Sequence, residues 1–140
     1  MYALLKEQEC DVSAWIGKVG KSTIVFDHSW IEYDGKIIDA AISNTLVQGL
    51  GFPPVFLDYD LKSSEKTEFE YGFSNGNGID PQAIEISNMT IGAYMDAFPG
   101  HSRGLWGIAK EIAKMQSLRF NVDAAKKKWG GSTWLIKANK

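Results

Sequence analysis

The sequence predicts an α+β fold, an N-terminal antiparallel β-meander packed against a C-terminal helical half, in one domain spanning residues 1–140. Three observations predict it. Segments rich in Val, Ile, Trp and Phe, separated by short Gly-containing turns, fill the first third of the chain. Asp34-Gly35 between two apolar runs suits a type I′ hairpin turn, in which both central residues take positive φ. Beyond about residue 80 the apolar spacing changes to that of helices.

The strands are expected at Asp11 to Lys18, Thr23 to Tyr33 and Lys36 to Ser43, which makes two consecutive hairpins. If the Asp34-Gly35 turn pairs Tyr33 with Lys36, Trp30 faces Asp39 and His28 faces Ala41. Strand side chains alternate between faces, so His28, Trp30, Ile37 and Asp39 share one face and His28 and Asp39 become diagonal neighbours. Asn44 to Pro54, with Gly49, Gly51 and a Pro pair, reads as a loop, and Val55 to Leu57 as a short edge strand. Thr67 to Phe73 is a strand candidate because Phe69, Tyr71 and Phe73 alternate with Glu68, Glu70 and Gly72. Ser74-Asn75-Gly76-Asn77-Gly78 and Asp80-Pro81 then carry turn chemistry. Helices are expected over Thr90 to Phe98 and over Arg103 to Met115, the second with Leu105, Ile108, Ala109, Ile112 and Met115 on its apolar stripe. A third starts at Asn121 as N-cap and stops before Gly130-Gly131, with Val122, Ala125 and Trp129 facing inward. Ser132 to Lys137 returns as a final strand.

At 140 residues, with 44% hydrophobic and 12% aromatic content, the chain can build a substantial core. Fifteen basic and seventeen acidic residues give a net charge of -2, which provides no global field for nucleic acid or an anionic membrane. No stretch approaches the roughly 20 apolar residues needed to cross a bilayer. The single cysteine, Cys10, cannot form an internal disulfide, and Lys6 and Glu7 interrupt any signal-like apolar run. The expectation is a protein of the reducing cytoplasm that needs no cofactor and takes a protein or peptide as substrate or partner.

Chemistry is most plausible between Asp27 and Asp39. A carboxylate beside an imidazole accepts its Nδ1 proton, fixes the tautomer and leaves Nε2 as a general base. The structural alternative is a half-buried sheet histidine, with Asp39 capping a turn or meeting a lysine. The segment His28-Ser29-Trp30-Ile31-Glu32-Tyr33-Asp34-Gly35-Lys36-Ile37-Ile38-Asp39 resembles the His-x-Trp-(Val/Ile)-Glu…Asp-Gly…Asp stretch of transglutaminase-like cysteine enzymes, relatives of the papain-like proteases. The resemblance covers roughly residues 10 to 45. It implies a Cys-His-Asp triad of a hydrolase or acyltransferase acting on an amide or ester, with His28 as base and Asp39 as its orienting carboxylate.

Cys10 precedes His28 in the order that this resemblance requires, and a thiolate activated by an imidazole is a good nucleophile. Its placement departs from the family, in which the cysteine opens a buried helix well before the strands. Two readings stay open: Cys10 reaches His28 from the adjacent strand, or the domain is a degenerate member of the fold that binds a protein or peptide without catalysis. A third is that the likeness is accidental.

Other candidates are weaker. Gly17 to Thr23 lacks the first glycine of a phosphate-binding loop, where Trp15 stands, and a strand rather than a helix follows, so it reads as a hairpin turn. With two histidines, His28 and His101, and no spaced His or Cys pair, no zinc site is expected. Asp58, Asp60 and Glu65 lack calcium-loop spacing and read as a solvated loop. The five tryptophans are expected mostly in the core.

Overall fold

The computed structural model describes residues 1–45, 51–72 and 78–137. The part of the expected loop around Gly49, the end of the Thr67 to Phe73 strand candidate at Phe73 and the turn residues Ser74 to Asn77 lie outside the described residues. The fold is α+β. Strands β1 (Val12–Lys21), β2 (Ile24–Tyr33), β3 (Lys36–Asp39), β4 (Val55–Phe56), β5 (Tyr59–Asp60), β6 (Glu70–Tyr71) and β7 (Leu135–Lys137) form one sheet in the order β5-β4-β3-β2-β1-β6, and β7 adds to β1. All pairings are antiparallel except the parallel β1–β7 pair. Helices α1 (Tyr2–Glu7), α2 (Pro81–Ser87), α3 (Ile91–Asp96), α4 (Gly104–Met115) and α5 (Val122–Trp129) complete the fold.

The two hairpins form as the sequence predicts. Asp34 and Gly35 take φ of 50° and 72°, the left-handed pair that a type I′ turn demands. Tyr33 pairs with Lys36 and Ile31 with Ile38, in the expected register. The first hairpin is longer than expected: β1 runs on to Lys21, and the turn is confined to Ser22 and Thr23. β3 is shorter, because Ala41–Asn44 coil into a 3-10 turn instead of continuing the strand. Two helices were not legible in advance. α1 is a six-residue segment, and α2 begins with Pro81 at its first turn, where the missing N–H costs nothing.

Alternation along β1 and β2 gives the sheet two different faces. Val12, Ala14, Ile31 and Ile38 point toward the helices; Ala14 joins Ala3, Ile91, Met95, Trp106, Val122 and Ala125 in the main core. The opposite face carries Val19, Trp30, Ile37 and Tyr71, closed over by Ile42, Phe52 and Phe69. α3 and α5 are capped by side chains: Thr90 accepts from the Ala93 amide, and Asn121, the expected N-cap, from that of Ala124.

One helix face differs from expectation. The buried side of α4 is Trp106, Gly107, Ala109 and Ala113, whereas Ile112 is 44% and Met115 79% exposed. The predicted stripe of Leu105, Ile108 and Ile112 is therefore turned partly away from the core. These three residues line an apolar cavity of about 420 Å³ between the helices and the sheet. The aliphatic side chains follow that cavity, and Trp106 with the small residues makes the closest packing.

Candidate active site

The site is built by three strands. β2 carries His28, β3 ends on Asp39, and β6 delivers Tyr71 through its pairing with β1, where Tyr71 stands opposite Val19. The His28 Nε2 lies 2.9 and 3.0 Å from the two oxygens of Asp39. The Tyr71 hydroxyl donates to Asp39 Oδ2 at 2.8 Å, and the Ile42 amide donates to Oδ1 at 3.0 Å. The Asp39 side chain has no solvent exposure and that of His28 is 10% exposed. A carboxylate so deeply buried requires such donors, because taking a charge out of water is costly unless hydrogen bonds replace hydration. The two readings of Asp39 offered by the sequence are both realised: it caps the 3-10 turn and it holds the imidazole.

The polarity of the pair is the reverse of that expected. Nε2, not Nδ1, meets the carboxylate. Diagonal neighbours on adjacent strands are about 7–8 Å apart at the backbone, so the nitrogen farther out on the ring makes the bridge. With Nε2 carrying the shared proton, Nδ1 is left as the basic nitrogen.

The surroundings fix the ring further. Phe26 meets the imidazole edge-on at 5.7 Å and stacks on Phe52 at 6.2 Å, while Trp30 lies 5.1 Å from Tyr71. Trp30 Nε1 donates to Glu32, which Lys137 of β7 pairs at 2.7 Å. Burial raises the Tyr71 pKa far above its usual value, and the charge and hydrogen bond of Asp39 push it the same way, so the phenol remains a donor.

Cys10 is not part of this constellation, which corrects the expected triad. Its thiol packs with Val12, Ile31 and Ile38 beneath Tyr2 and Leu5 of α1, on the helix side of the sheet, and its nearest polar neighbour is the Gln8 carbonyl at 3.9 Å. His28 pairs with Gly17, seven residues farther along the chain. At about 3.3 Å per strand residue that is roughly 23 Å, and on the other face. A cysteine at the head of β1 cannot approach an imidazole in the middle of β2.

Of the other candidates, His101 faces Glu111 at 3.3 Å and accepts from the Arg103 amide, near the start of α4. Asp58, at positive φ in the β4–β5 turn, accepts from the Ile37 amide, and Asp60 accepts from the amides of Lys62 and Ser63 in the turn that follows β5. Among the described residues no group of three His, Cys, Asp or Glu side chains is placed to hold a metal ion, and no helix is long and apolar enough to cross a membrane. Tyr71 and the Ile42 amide are the members that sequence reasoning missed. The available signal was Tyr71 on the inward side of an alternating strand, since a buried phenol needs a hydrogen-bond partner.

The fold and site define an α+β domain with a buried carboxylate, imidazole and phenol set on a mixed, mainly antiparallel sheet. No family model, curated protein or solved structure matches the chain.

Proposed function

We propose that this chain is a transglutaminase-like domain that supports acyl transfer, with His28 as general base, Asp39 as the carboxylate that positions it, and a nucleophile other than Cys10. The observation that carries this reading is the Asp39 carboxylate, buried and held by Tyr71 and the Ile42 amide, in contact with His28 Nε2. Such a dyad stabilises the imidazolium that forms when Nδ1 takes a proton. In the proposed reaction an incoming thiol, hydroxyl or water gives its proton to Nδ1 as its sulfur or oxygen bonds to an amide or ester carbonyl carbon. The imidazolium then returns the proton to the departing amine or alcohol as the old bond breaks.

The test is cleavage of a p-nitrophenyl ester, and its conversion to a hydroxamate by hydroxylamine, in the wild type and in His28→Ala, Cys10→Ala and His101→Ala. The rate is expected to fall about 10²-fold or more in His28→Ala and to be unaffected by the other two substitutions. An equal rate in wild type and His28→Ala would refute the proposal. A second reading is a binding module without catalysis, favoured by the distance of Cys10 from His28; it predicts turnover in none of the proteins.

A further inference from the structure

We infer that the edge of β2 beside His28, unpaired among the described residues, takes an extended peptide as an added strand, with a large apolar side chain and a basic side chain two residues apart. The inference rests on the acyl-transfer reading of His28 and names the class of molecule that the site accepts.

The first support is the ladder. β2 has ten residues and β3 only four, and their pairing stops at Ile31 with Ile38. Both hairpins have two-residue turns, so Lys21–Ile24 and Tyr33–Lys36 are hydrogen-bonded pairs. Alternation from those pairs directs the amides and carbonyls of Val25, Asp27 and Ser29 away from β1, toward the line that β3 abandons. Among the described residues none of these groups has a backbone partner. An unpaired row of this kind is the template for strand addition, and the main chain of an extended peptide satisfies it.

The second support is space. Val25 to Ser29, five consecutive residues, line a cleft of about 520 Å³ whose other wall is Gln82, Ala83 and Ile86 of α2. Ser29 and Tyr94 border both this cleft and the apolar 420 Å³ cavity. A strand laid on the edge therefore has one position, opposite Ser29, from which a side chain can enter the cavity among Ile38, Met95 and Ile108.

The third support is charge. Lys18 pairs with Asp27 at 2.9 Å and lies 4.0 Å from Asp80, whose amide donates to Asp27, so two carboxylates share one ammonium at the cleft and that of Asp80 is 73% exposed. A residue opposite Asp27 lies two positions from one opposite Ser29 and on the same face. A Lys or Arg there meets Asp80. The residue between them faces the other way, to the side of the sheet that holds His28, and this places the reacting group of the peptide next to the imidazole.

The test is fluorescence anisotropy with labelled seven-residue peptides centred on Leu-Thr-Arg and on Arg-Thr-Leu, since strand direction is set by the experiment. One of the two is expected to bind saturably. Replacing its Leu by Ala should weaken binding about tenfold or more, as should N-methylation of the amides that face β2. Asp80→Lys should weaken the Arg peptide and favour one with Glu in its place. His101→Ala, outside the cleft, should leave binding unchanged, and because anisotropy is read without the ester, loss of ester turnover in His28→Ala concerns the dyad alone. Equal binding of the parent, Ala and N-methylated peptides, or binding of neither parent, overturns the inference even if the ester is turned over.

Discussion

Replacing Asp39 by Asn tests the site at its most constrained point, because the substitution keeps the shape and removes the charge. Three donors converge on this carboxylate: His28 Nε2, the Tyr71 hydroxyl and the Ile42 amide. A hydrogen bond to a charged acceptor is worth about 1.5–3 kcal/mol and one to a neutral acceptor about 0.5–1.5, so three weakened bonds amount to a loss of about 3 kcal/mol. Asn also presents a donor where one oxygen stood, so at least one of the three must turn away or reverse. For a domain of this length the loss corresponds to a fall in Tm of about 6–12 °C. Tyr71→Phe alone should cost about 1.5–3 kcal/mol by removing one charge-assisted bond.

The double variant separates the local interaction from general damage. In Asp39→Asn the charge that Tyr71 serves is already gone, so adding Tyr71→Phe should cost much less than it does in the wild type. The expected coupling is about 1–2 kcal/mol, read from urea unfolding followed by tryptophan fluorescence. If the two losses simply add, the phenol and the carboxylate do not act together; if Asp39→Asn lies within about 0.5 kcal/mol of wild type, the carboxylate is not held as described.

Three further expectations concern neighbouring residues. The folded Tyr71 keeps its proton while the unfolded phenol ionises near its ordinary value of 10.0, so the wild type should lose stability as pH rises above that value, at up to about 1.4 kcal/mol per pH unit. Tyr71→Phe should lack this component, which the difference between two alkaline unfolding series would reveal, and identical slopes would contradict it. Cys10→Ala should cost about 1 kcal/mol from lost packing under α1 and leave ester turnover unchanged, as measured by urea midpoints and rates side by side. A Cβ at Gly17 would run into the Lys137 carbonyl and come within 3.3 Å of the Trp30 ring, so Gly17→Ala should destabilise by about 1–3 kcal/mol. Increased hydrogen exchange of β7 amides is expected in that variant, and unaltered protection there would refute the account of the β1–β7 seam.

How much of this was legible follows from the range of each interaction. The Asp34-Gly35 turn and the alternation beside it are local, and they placed His28 and Asp39 on one face without knowledge of the rest of the chain. The choice of ring nitrogen follows from the diagonal spacing once the Asp39 carboxylate is fixed, and that fixing by the Ile42 amide and Tyr71 was not local. Tyr71 lies 32 residues from Asp39 and arrives by pairing with the far side of β1. Its inward orientation could be read from Phe69-Glu70-Tyr71-Gly72, but not the edge to which the strand would add. Cys10 was misjudged because order along the chain says nothing of the face on which α1 packs. On α4 the predicted stripe is turned from the core: Ala109 is buried, Leu105, Ile108 and Ile112 line a cavity, and Met115 is exposed. Periodicity marks an apolar face and not what that face packs against.

The division between the two sheet faces raises a chemical question. His28 and Asp39 lie on one face and the cavity with its helices on the other, and a closed sheet would keep a molecule bound on one side from chemistry on the other. The abrupt end of β3 removes that barrier. At the edge of β2 between Val25 and Ser29, unpaired among the described residues, successive residues of an added strand point alternately to the two faces, so one chain can be gripped on the helix side and react on the imidazole side. Asp39 stands where both roles meet. It ends the strand, caps the turn that takes the chain away from the edge, and holds the imidazole of His28. Lengthening β3 through Ala41 would pair the edge and bring a backbone strand alongside His28. A variant designed to do so is therefore expected to fold with a longer β2–β3 ladder and to lose both peptide binding and turnover. Retention of either would show that the edge is not the route to the dyad.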